Sequence, residues 1–207
     1  MKGMPPVLVR NGVRRDGFIA TLDARTWRPR AHAAAALADP EAVSERGAYV
    51  AWLRRVAAAW SRLPQPPAGP WPLAAVGPRC LALLPQVEAD LRDLGVRGLT
   101  PVPRPRSGTH PDRAVTAGAA YVAVVAAADA AVLAAAAETL LGRPAHRGGT
   151  SFLRACREMA AAHRGLRREL ADWAAVCEPE AADRAVLTAR ALSLELAQAL
   201  QVTRQGS

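Results

Sequence analysis

Apolar residues recur along this chain at helical spacing. Tyr49, Trp52, Leu53, Val56 and Trp60 follow one another at steps of three and four, which places them on one buried stripe. Ser44, Glu45 and Arg46 precede that stripe and read as the opening of a helix. Leu81, Leu84, Val87 and Leu91 form a similar stripe in a helix expected over about 79–94, with Gly95 as its C-terminal stop. An earlier helix is expected from about Leu22 to Leu37, with Pro29 in its first turn or kinking it, and Asp39-Pro40 breaks the chain after it. From about Asp112 to Leu141 the pattern loses its polar side, which predicts a helix at the centre of a bundle. Two more amphipathic stretches, about 151–176 and 179–201, complete an all-α reading.

Strand-type alternation is nearly absent. Pro64 to Pro78 contains six prolines and two glycines, and Thr100 to Pro111 is similarly broken, so both read as long connectors. Residues 1–20 read as a loose arm, because Pro5, Pro6, Gly12 and Gly17 interrupt them. Residues 21–203 read as one helical domain with two long proline-rich connections.

Composition sharpens the picture. With 207 residues, 51% of them hydrophobic, the chain is long enough to bury a core without disulfides or a structural metal. Aromatics are only 4%, so alanine, leucine and valine carry the core, and the first two are the strongest helix formers. The formal charge is +9, and every basic residue except Lys2 is arginine. Arginine suits phosphate and carboxylate recognition, while a G- and C-rich coding bias accounts for the same excess. A basic face studded with aromatics and a helix-turn-helix are both missing, which places nucleic acid last among candidate partners. Three scattered cysteines, Cys80, Cys156 and Cys177, form no CxxC pair and suggest a reducing compartment. No apolar leader follows Met1, and a cytoplasmic protein is expected. Ala114–Ala137 is long enough to cross a bilayer, but Asp129 within it would cost roughly 2.5–3.5 kcal/mol there, so a buried core helix is the expectation and no membrane partner is assigned.

Nucleotide-binding glycine motifs, HExxH, CxxC and Gly-x-Ser-x-Gly are absent. Of the histidines, His110 and His146 fall in loops and His163 on a mixed helical face, where a surface role is expected. His32 differs, because it adjoins the run Ala33–Ala36. Small neighbours leave room for a flat ligand such as a porphyrin, whose iron an imidazole can ligate; a partly buried histidine on an alanine face is the plainer reading. Asp129 is the only charge between Arg113 and Glu138. On a buried helix it must be paired, hydrogen-bonded or protonated, either in a polar pocket or against an arginine.

Several segments, in order, resemble the biliverdin-producing heme oxygenases that accompany bacterial phytochromes. Thr26-Trp27-Arg28-Pro29 is similar to the Thr-x-x-x-His start of their proximal helix. Ser44-Glu-Arg-Gly-Ala-Tyr49 with Trp52-Leu53 resembles their second helix, and Glu88-Ala-Asp-Leu-Arg-Asp-Leu-Gly95 their Asp-Leu-x-x-Leu-Gly ending. Gly118-Ala-Ala-Tyr121-Val122 resembles the Gly-Ala-Leu-Tyr-Val that opens their distal helix, and Ser151-Phe152-Leu153 and the last helix follow in order. The likeness spans about residues 20–200. It implies a heme-oxygenase-like bundle with heme between the first and fourth helices and His32 as axial iron ligand. Tyr121, Val125 and Ala126 would line the heme, Asp129 would stand at the catalytic distal position, and arginines would hold the propionates. Oxygen, electrons from a reductase and a phytochrome-type histidine kinase are the implied co-reactants and partner, with biliverdin, CO and iron as products.

Two departures bear on activity. The family continues Leu-Glu-Gly-Ser-x-x-Gly-Gly after Tyr-Val, whereas this chain has Ala123, Val124, Val125, Ala126, Ala127, Ala128, Asp129 and Ala130, so every glycine is replaced. Counting four residues from Thr26 reaches Arg30 rather than His32. The two lie about 200° apart on a helix, so only one of them can face a heme. An inert member of the fold, binding heme, a bilin or a signalling partner, is the alternative.

Overall fold

A computed structural model describes residues 6–64, 73–97, 112–142 and 148–201, with side chains from Gly17 onward. The prolines expected to form the two long connectors lie mainly outside the described residues, as do His110 and His146. Seven α-helices follow in order among the described residues: α1 (Pro6–Leu37), α2 (Arg46–Trp60), α3 (Leu84–Asp93), α4 (Arg113–Ala130), α5 (Ala134–Leu141), α6 (Ser151–Val176) and α7 (Pro179–Gln201). No strand occurs among them, and the protein is all-α.

Where elements differ from the sequence reading, the causes are local. Helix α1 begins at Pro6, not near residue 22, so the stretch read as a loose arm is helical from there. Pro6 costs nothing at a helix start, because the first N–H groups have no intrahelical acceptor. Pro29 is accommodated inside α1. The third helix is shorter than expected: Pro78–Leu81 forms a 3-10 turn and α3 starts only at Leu84, with Pro85 in its first turn, where the missing N–H is harmless. Ser44 does not cap α2. Its hydroxyl donates to Glu41 O at 2.7 Å, closing the 3-10 turn Pro40–Val43, which Asp39 caps by accepting from Glu41 N at 3.1 Å. The fourth expected helix is divided into α4 and α5 by the 3-10 turn Ala131–Leu133.

Helix α4 is the centre. From Ala114 to Ala127 only Val115 is not fully buried, and α4 packs most extensively against α7 and α6. Its small side chains allow backbones to meet. A Cβ added to Gly118 would collide with Ala185 O and come within 3.1 Å of Ala189 N on α7. The segment Arg113–Leu141 is apolar enough to cross a membrane, with 67% of its most apolar window buried inside the fold.

Aromatic residues from α2 and α6 fill the far end. Tyr49 stacks on Trp52 at 5.9 Å between centroids, and Trp60 meets Phe152 edge-on at 5.1 Å. The entry to α6 is fastened there by three side chains. Asp90, fully buried on α3, accepts from Ser151 N at 2.7 Å and Phe152 N at 2.8 Å. Asp93 accepts from Gly149 N at 3.2 Å, and Tyr49 donates to Gly149 O at 2.9 Å.

Candidate functional site

Four of the residues singled out in the sequence share one face of α4. Tyr121, Val125 and Asp129 recur at four-residue steps, with Val122 and Ala126 in the row beside them, and all five line a cleft between α4, α1 and α7. Helix α1 contributes Arg30 and Ala33, and α7 contributes Ser193 and Leu196. The free volume is about 10 Å³, room for a single water at most.

His32 is not in this cleft. It is exposed and borders a separate surface hollow of about 380 Å³ with Ala35, Ala36, Asp39, Pro40 and Leu200. The arrangement is the reverse of the one expected for an axial ligand: Arg30 faces Tyr121 and Ala126, and His32 faces outward. The cause lies in the register of α1. Leu22, Thr26, Pro29, Ala33 and Leu37 point into the core, and this fixes residue 30 on the flank towards α4 and residue 32 on the far side.

Asp129 stands at the end of the cleft. Burial pushes its carboxyl up from the usual carboxylate range, and the positive charge of Arg30 offsets this only in part. Its Oδ2 is buried without a hydrogen-bond partner.

Beside the cleft lies a polar cluster that joins three helices. Asp23 on α1 accepts from Tyr121 Oη at 2.6 Å, from Arg167 Nη1 at 2.9 Å and from Arg167 Nη2 at 2.7 Å. Arg30 Nη1 is 3.9 Å from the same carboxylate. The bidentate bond from Arg167 holds the Asp23 carboxyl below its usual range, against the effect of burial. Burial pushes the Tyr121 hydroxyl up, and its hydrogen bond to Asp23 adds to that. His163 is correspondingly not a plain surface residue. Its Nε2 is buried without a partner, and burial followed by the charges of Arg167 and Arg30 lowers its pKa, which keeps it neutral.

The sequence reading missed Asp23 and Arg167. A signal existed, because Asp23 is the only acidic residue between Asp16 and Asp39, in a segment otherwise rich in arginine. Its partner, 144 positions away on α6, has no local signature.

A tetrapyrrole iron requires an axial donor and space for a macrocycle. Among the described residues no histidine lines the cleft, and the side chains at 125, 126 and 129 fill the face along which a porphyrin would lie. The residues present do not fit heme in this arrangement. No protein-family model, curated protein or solved structure matches the chain.

Proposed function

We propose that this protein is a heme-oxygenase-like helical domain that has lost heme cleavage and works as a binding protein for a partner. Segment order along the chain supports the family reading. The observation that carries the functional one is the exchange of positions on α1: an arginine stands where an axial ligand would be needed, and His32 faces outward. Three further features support it. The cleft has room for no more than a water, the distal glycines are replaced by Val125, Asp129 and Ala130, and Arg167, suited to a ligand carboxylate, is already held by Asp23.

The heme-cleaving alternative would need His32 to turn about 200° around α1. That rotation would carry Leu22, Thr26 and Leu37 out of the core.

Hemin titration tests the proposal. The expected result is no Soret band that depends on His32, with His32→Ala and the parent chain giving the same spectrum. With ascorbate or a reductase added, no biliverdin forms. A His32-dependent Soret band that bleaches with biliverdin production would overturn the reading.

A further inference from the structure

Helices α1 and α6 run antiparallel. Phe18 meets Trp173 edge-on with centroids 5.8 Å apart, and Asp23 meets Arg167 further along. Continuing that register puts Trp27 level with Arg164. Trp27 is 60% exposed, an unusual state for a side chain so large and apolar. Its flanks are basic. Arg28 follows it on α1, and Arg164 and Arg168 stand one turn apart on the outer face of α6. All three are exposed, and among the described residues they make no hydrogen bond or ion pair.

We infer that Trp27, Arg28, Arg164 and Arg168 form a docking surface for an acidic segment of a partner protein. An exposed indole with exposed guanidinium groups on the same side of the fold is a composition enriched among the residues that carry binding energy at protein interfaces: the aromatic supplies buried area and the arginines supply bidentate contacts to carboxylates. The proposed occupant presents carboxylates to the arginines and an apolar side chain to the indole. Charge complementarity argues for it, since the whole chain carries +9 and, among the described residues, these arginines have no hydrogen-bond or ion-pair partner. A nucleic-acid backbone suits the surface less well. Trp27 is the one exposed aromatic side chain among the described residues, whereas a nucleic-acid strand is held by a series of aromatics on which successive bases stack.

The inference rests on the binding-protein reading but not on the cleft. A His32-dependent heme spectrum would remove that reading, whereas the experiment below bears on the surface alone. The probe is a fluorescein-labelled helical peptide with glutamates four residues apart flanking a central leucine, followed by anisotropy at physiological salt. Saturable binding is expected, weakened about tenfold by Trp27→Ala and about tenfold by Arg164→Glu with Arg168→Glu. Arg62→Glu with Arg79→Glu changes the net charge equally on exposed residues elsewhere and should weaken binding by no more than about twofold. Circular dichroism checks that each variant is folded. Absence of peptide binding, equal loss in the charge-matched control, or tighter binding of duplex DNA or phosphatidylserine vesicles through the same residues would each overturn the proposal.

Discussion

Arg167 grips both carboxylate oxygens of Asp23, at 2.9 and 2.7 Å, and so fixes α6 to α1 beside the α4 hydroxyl of Tyr121. The folded-state pKa of Asp23 is lowered. The unfolded chain therefore binds more protons just below the ordinary carboxylate value of 3.8, and stability falls as pH drops through that window towards the folded pKa. Asp23→Asn should cost about 1 kcal/mol at neutral pH, discounted because both partners are about one-third exposed. It should also flatten the acid limb of a urea-unfolding series. An unchanged acid limb would mean that this pair contributes nothing to stability.

Asp129 behaves in the opposite sense. Its folded pKa is raised, so the folded state keeps the proton longer, and stability falls as pH rises from 3.8 towards the folded value. Asp129→Asn should therefore stabilise the protein at neutral pH by something under about 1 kcal/mol, since the carboxyl is partly solvated. The gain should vanish near pH 4. Destabilisation at neutral pH would show that Arg30 depends on this charge.

Gly118→Ala should destabilise by about 1–3 kcal/mol, because a methyl group there pushes α7 away from α4 at Ala185. Thermal unfolding measures it. A change of only a few tenths of a kcal/mol would mean that the two backbones can separate freely.

Asp90→Ala removes the acceptor for two N–H groups at the start of α6, in a fully buried place. A loss of about 3 kcal/mol is expected, seen as a lower denaturation midpoint with an unchanged slope. Asp90→Asn keeps one acceptor oxygen and should lose less. Equal losses in the two variants would remove the capping explanation.

Much of this architecture was legible as period and punctuation. The stripe from Tyr49 to Trp60 and the unbroken apolar run after Arg113 specify their own burial, and the residues lining the cleft from α4 share a face because 121, 125 and 129 are four apart. Other parts depended on information that local patterns do not hold. The start of α1 was obscured by Pro5, Pro6 and two glycines, which look like breakers although a proline at a helix start is harmless. Whether Arg30 or His32 faces α4 is set by the rotation of α1, and that depends on which of its apolar residues find a partner surface. The bond between Asp23 and Arg167 joins distant positions and follows only from the packed arrangement of three helices.

The central position of α4 has a consequence for how the chain is made. Its chief packing partners, α6 and α7, both come later in the sequence. On the ribosome, α4 therefore emerges with its longest contacts still untranslated, as a segment apolar enough to be read as a membrane span. Until α7 is released and packs across Gly118, this helix is the part of the nascent chain most exposed to chaperones and to aggregation.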